Sequence, residues 1–210
     1  MSRRKHDRYV YQRLNATERE IRLLVVKPGR KREPLQCQIQ HHSFTAGLSA
    51  AYETISYFWG DAFIRGTLEV DGHYLDVPAS AETVLRRMQY PHRNRLVWID
   101  AVCIEQADVQ ERNQQVAMMA EVYSNAKQNL VWLGDSDGFT ERAFVALKCV
   151  SEDLRTEADD GRRFLEAVVD YHSDVFAFSA TGMKSAIDSE ALKSFFSRTW
   201  FRRLWGTHDS

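Results

Sequence analysis

Two short apolar runs of nearly the same spelling place the strongest constraint on this chain. Leu96-Val97-Trp98-Ile99 stops at Asp100, and Leu130-Val131-Trp132-Leu133 stops at Gly134-Asp135. Brief uninterrupted apolar runs suit strands covered on both faces, as in a parallel sheet. Between them, Val116, Met119, Ala120, Tyr123 and Ala126 recur at helical spacing, which predicts a helix over 109–126. Strand, helix, strand is the parallel crossover unit, so the two runs are expected to point the same way. Two similarly buried strands account for their likeness without an internal repeat.

The remaining segments extend this unit. Ile21–Val26 reads as a strand stopped by the turn residues Lys27-Pro28-Gly29, and Leu35–Gln40 as a second strand returning beside it. Tyr52–Phe58 is aromatic and β-branched, and ends at Trp59-Gly60-Asp61. Gly66–Val70 and His73–Val77 alternate around Asp71-Gly72, a hairpin signal. Ser80 is placed to cap a helix over 80–89, and further helices are expected over 140–156, 160–171 and 186–197. The expected fold is α/β: a mostly parallel central sheet flanked by helices, with a β-hairpin insertion and a helical C-terminal part. Residues 1–16 are expected to form a basic flexible arm, and residues 17–210 the α/β domain.

Composition excludes several classes. No apolar run reaches the ~18 residues of a membrane helix, and residues 1–21 lack the apolar stretch of a secretory signal. Cys37, Cys103 and Cys149 are odd in number and widely separated, which is no disulfide framework and points to a reducing compartment. Net charge is −1, but residues 1–40 carry +7 and the rest −8. A basic stretch of that kind can suit nucleic acid, yet no zinc-finger, helix-turn-helix or RNA-recognition pattern accompanies it, so nucleic acid is not the expected partner. There is no Walker A or G-x-G-x-x-G glycine pattern, no H-E-x-x-H and no G-x-S-x-G. His41-His42 lacks spaced ligand partners, so neither metal nor cofactor is expected.

Ligands of open parallel sheets bind beyond the carboxyl ends of the strands. Ser56, Trp59, Gly60 and Asp61 close one strand here. Asp100, Cys103, Glu105 and Gln106 close another, followed by Glu111 and Gln115 one turn apart on the next helix. Gly134 and Asp135 close the third. With the three strands parallel, these groups converge on one edge. Asp108-Val109-Gln110-Glu111 is also a capping box, which alone accounts for both acids, while a free helix N-terminus favours an anion such as phosphate. Cys103 reads first as a half-buried thiol and only second as a nucleophile.

The motifs together resemble the fungal heterokaryon incompatibility (HET) domain. Tyr52-x-x-Ile55-Ser56-Tyr57-x-Trp59-Gly60-Asp61 is similar to its opening signature, and Trp98-Ile99-Asp100-Ala101-Val102-Cys103-Ile104-Glu105-Gln106 to its second. Glu111-Arg112-x-x-Gln115-Val116-x-x-Met119-x-x-Val122-Tyr123-x-x-Ala126, Val131-Trp132-Leu133-Gly134 and Ser197-Arg198-Thr199-Trp200-Phe201-x-Arg203-x-Trp205 continue the likeness. Two positions depart from it: Glu105 stands where the family has Asn, and Gly206-Thr207 follow Trp205 where the family has Gln-Glu.

The resemblance implies a cytoplasmic fungal protein of non-self recognition whose activation leads to programmed cell death. It also implies distant kinship with Toll/interleukin-1 receptor (TIR) domains, which are flavodoxin-like folds, some of them NAD hydrolases that use one glutamate. On that analogy Glu111, and after it Asp100, would stabilise the oxocarbenium-like transition state of nucleotide N-glycoside cleavage. Ser56, Trp59, Gly60, Asp61, Cys103, Gln106 and Gln115 would line the substrate pocket, with NAD as substrate rather than cofactor. A non-enzymatic module that kills through self-association or a signalling partner stands beside this reading.

Overall fold

The computed structural model describes residues 7–30, 33–47, 51–61, 63–156 and 188–201. The chain divides into two compact units, Met1–Leu133 and Gly134–Ser210.

The first unit is built on a seven-stranded sheet. In chain order the strands are β1 (Glu20–Val26), β2 (Gln36–Ser43), β3 (Glu53–Tyr57), β4 (Arg65–Val70), β5 (His73–Pro78), β6 (Arg95–Trp98) and β7 (Gln128–Trp132). Their order across the sheet is β5-β4-β2-β1-β6-β3-β7. β3 runs parallel to both β6 and β7, with Thr54 opposite Trp98 and Tyr57 opposite Trp132. The crossover read from the two apolar runs is therefore present, with β3 lying between them.

The sheet as a whole is mixed rather than mostly parallel. β1 pairs antiparallel with β2 on one side and with β6 on the other, and β4 pairs antiparallel with β5. β1 sits near the middle, and Ile21–Val26 are buried without a break. Such a run shows burial on both faces but carries no information on direction.

The β4–β5 hairpin turns at Asp71-Gly72 with φ of 51° and 81°. Positive φ at both central residues is the primed turn whose twist matches the flanking strands. Asp71 also accepts a hydrogen bond from Ile39 N (3.2 Å), which clips the hairpin tip to β2.

Helix α1 (Ala79–Met88) buries Ala81, Val84 and Leu85. Its N-cap is Pro78, with no side-chain cap, so Ser80 does not start the helix; its hydroxyl instead donates to Trp59 O (2.6 Å). A short α2 (Asp100–Cys103) follows β6. α3 (Val109–Ser124) is capped as its sequence requires, by Asp108 accepting from Gln110 N and Glu111 N. α3 lies against β6 and β3: Tyr123 meets Trp98 edge-on at 5.8 Å, and Tyr52 Oη donates to Val122 O (2.5 Å).

The second unit contains α4 (Thr140–Thr156) and α5 (Ser189–Phe196). Asp188 caps α5 and pairs with Arg142 of α4 at 2.7 Å, while Phe144 packs on Phe195 at 5.5 Å. The helix expected over 160–171 lies outside the described residues.

Candidate functional site

The carboxyl ends of β3 and β6 share one edge of the sheet, because the two strands are parallel and adjacent. β1 enters from that same edge, since it runs antiparallel to β6 with Leu24 opposite Val97. Residues from the starts of β1 and α3 and from the ends of β3 and β6 are thus brought together.

Two hydrogen-bonded groups result. In the first, Trp59 Nε1 donates to both carboxylate oxygens of Asp100 at 3.1 Å each. Asp100 Oδ1 also accepts from Ala101 N (2.8 Å), and Asp100 O from Gln106 Nε2 (2.8 Å). Gly60 turns the chain with φ of 68°, a region that favours glycine, and Asp61 accepts from Phe63 N (2.8 Å). With Ser80 holding Trp59 O, the loop after β3 is fixed at its base.

The second group surrounds Glu111. Its two oxygens take the two terminal nitrogens of Arg22, at 2.5 and 2.9 Å. Oε1 also accepts from Glu105 N (2.7 Å). Arg22 is fully buried and Glu111 is 6% exposed. The guanidinium donates further to Cys103 O (3.2 Å) and Gln12 O (2.6 Å), and lies 4.8 Å from the Tyr11 ring centre. A bidentate arginine–carboxylate pair whose terminal nitrogens find further acceptors is a form in which a buried ion pair is tolerated, and here the Arg22 Nε alone is left without a hydrogen-bond partner. The capping box is therefore only half formed: Asp108 caps the helix, while the Glu111 carboxylate takes Glu105 N and Arg22 of β1 instead of the Asp108 N–H.

The other sequence-singled residues fall around these groups. Gln115 is 3% exposed and donates to Glu20 O (2.9 Å), which ties α3 to the start of β1. Ser56 is half-buried in β3, opposite Val131. Cys103 is fully buried, and burial pushes its thiol up to about 12. Cys37 is also buried, with its thiol at about 12 for the same reason. A thiol-reactive probe at pH 8 is expected to label one of the three cysteines in the native protein, Cys149, and all three after denaturation. Native labelling of Cys103 would contradict this packing.

The hollow that Glu111 borders measures about 180 Å³ and is shared with Arg13, Leu14, Ala16, Asp108, Gln110 and Gln114. Ser56, Trp59 and Asp100 do not line it. The helix N-terminus expected to receive a phosphate is filled by the Asp108 carboxylate. Among the described residues no three His, Cys, Asp or Glu side chains gather as a metal site, and no helix is long and apolar enough to cross a membrane.

Sequence reasoning missed Arg22 and the segment before β1. Asp7 O accepts from Tyr74 N (3.1 Å), Tyr9 N donates to Tyr74 O (2.7 Å) and Tyr11 Oη donates to Val102 O (2.9 Å). Residues 7–12 thus run from β5 to α2 and the Arg22 guanidinium. The Tyr9-Val10-Tyr11 run between Arg8 and Gln12 was the available signal.

The family model described as heterokaryon incompatibility protein (HET) matches residues 52–208. A curated relative from Neurospora crassa, "Heterokaryon incompatibility protein 6, OR allele", is 30% identical over 222 residues, covering 88% of this chain and 31% of its own length. The chain therefore spans about a third of that relative. No solved structure matches the chain.

Proposed function

The chain belongs to the heterokaryon incompatibility (HET) family, and on that premise we propose that it serves fungal non-self recognition as a cell-death module that signals by self-association. One observation carries this reading: both carboxylates best placed for chemistry are spent inside the protein. Glu111 gives its oxygens to Arg22 and Glu105 N, and Asp100 gives its oxygens to Trp59 and Ala101 N. A carboxylate held this way shapes the fold, and its charge is already answered before a substrate cation develops.

The network also anchors the loop after β3, on which Phe63 is 93%, Ile64 59% and Phe58 42% exposed. Large apolar side chains presented on a firmly based loop favour contact with another protein surface. Fusing the chain to a chemically inducible dimeriser in a filamentous fungus tests the reading. Addition of the dimeriser is expected to lower hyphal viability at least tenfold, and unchanged viability at equal expression overturns it.

A second reading keeps the TIR-like kinship and the NAD glycohydrolase chemistry. In its support, Trp59, Asp100 and Glu111 come from one sheet edge, and Glu111 borders a hollow. The nicotinamide–ribose bond would break and water would add to the ribose carbon, with Glu111 beside it. This reading requires Glu111 to leave Arg22, and it predicts nicotinamide release on mixing the protein with NAD.

A further inference from the structure

Among the described residues an unassigned hollow of about 340 Å³ lies between the chain segment before β1 and the β2–β4–β5 side of the sheet. Its walls include Arg8, Tyr9, Gln12, His41, Asp71 and His73. That volume falls at the lower end of the range of about 300–1,000 Å³ typical of small-molecule sites. The site is distinct from the Glu111 hollow, which shares none of these residues.

Its frame is fixed from several elements. The Arg8 backbone is bridged to Tyr74 of β5, and the Gln12 carbonyl is held by Arg22. Asp71 is clipped to Ile39 N of β2, and His41 stands in β2 itself. The polar capacity of the walls is only partly used. The Arg8 guanidinium has no hydrogen-bond or ion-pair partner among the described residues. His41 meets Glu20 Oε2 through Nδ1 (3.3 Å) and His73 meets Asp71 O through Nδ1 (3.0 Å); both partners are acceptors, so Nδ1 is the donor and the Nε2 of each neutral ring is left as an acceptor for a ligand. Asp71 spends Oδ2 on Ile39 N and keeps Oδ1. Burial and the nearby Asp71 charge raise the Tyr9 phenol, so it stays a neutral donor and acceptor.

One arginine and a phenol offer donors to an anion such as phosphate, while the two imidazole Nε2 atoms accept hydrogen bonds from hydroxyls. One carboxylate oxygen among them disfavours a bare anion but accepts hydrogen bonds from hydroxyls. From this pairing of one cationic donor with several acceptors, we propose that the hollow binds a phosphorylated sugar, such as the ribose-phosphate part of a nucleotide. The phosphate meets Arg8, and sugar hydroxyls meet Asp71 and His73 Nε2. The chemistry does not depend on the reading of Glu111, and it concerns binding, with no bond made or broken.

Calorimetric titration of the whole chain with ribose 5-phosphate, inorganic phosphate and ribose tests this. Ribose 5-phosphate is expected to bind at least tenfold more tightly than either of the others, because each lacks one half of the match. Arg8→Ala and His73→Ala change exposed side chains, so both variants should melt like the parent, with Arg8→Ala weakening ribose 5-phosphate about tenfold and His73→Ala about threefold, the loss of a charge-assisted and of a neutral hydrogen bond. No measurable heat with ribose 5-phosphate, equal binding of inorganic phosphate or of ribose, or parental affinity in both variants overturns the proposal.

Discussion

Replacing Glu111 by glutamine is expected to cost about 3–5 kcal/mol of stability, because it strands the buried Arg22 charge without its counter-ion. For a chain of this size that loss lowers the melting temperature by on the order of 10 °C. Arg22→Met should cost a similar amount, since it leaves a buried carboxylate with only Glu105 N as donor. Combining Arg22→Met with Glu111→Gln removes both charges, so the double variant is expected to lose much less than the sum of the two singles. Thermal melts of the four proteins by circular dichroism check the cycle. Near-additive losses, or a Glu111→Gln cost below about 1 kcal/mol, would show that the pair is solvated and that the carboxylate is available for other work.

The second large effect is expected at Trp98. This side chain is fully buried in β6, with its ring edge-on to Tyr123 of α3. Trp98→Ala removes the contact that seats α3 on the parallel part of the sheet and leaves a cavity, at a cost of about 3–5 kcal/mol. Trp98→Phe should be far milder, no more than about 2 kcal/mol, because it keeps an aromatic ring and deletes an indole N–H that has no hydrogen-bond partner. Urea unfolding of the two variants separates the cases. Equal losses would mean that the N–H is bonded and that ring packing is not the main term.

These expectations also show what the sequence could and could not convey. The parallel arrangement of β3, β6 and β7 was legible because four-residue apolar runs flanking an amphipathic helix have few other solutions. Asp71-Gly72 was legible because only a primed turn needs positive φ at both positions. The Asp108 cap was legible from spacing alone. β1 was recognised as a strand, but its direction was not readable, and its antiparallel insertion between β2 and β6 makes the sheet mixed. Ser80 carries the chemistry of a cap, yet Pro78 begins the helix and the hydroxyl serves the Trp59 loop instead.

Arg22 is the most instructive case. An arginine inside Ile21-Arg22-Leu23-Leu24-Val25-Val26 reads as a solvent-facing break in an apolar run. Its burial depends on Glu111, 89 residues later in the chain, and no local pattern encodes that partnership. The same long-range pairing decides the character of Glu111. From sequence it is either a cap partner or a catalytic acid; in the structure it is the counter-charge of a strand arginine. The pinned segment 7–12 escaped notice for a related reason, since its anchors lie on β5, α2 and Arg22.

The account turns on whether the Glu111 carboxylate is structural or chemical, and the most direct measurement is nicotinamide release from NAD. The purified chain is assayed at high concentration, both alone and under enforced oligomerisation. The account predicts no nicotinamide above the protein-free control in either state. Release that is abolished in a Glu111→Gln protein still folded by circular dichroism would contradict it, and would show that this glutamate leaves Arg22 to act on substrate.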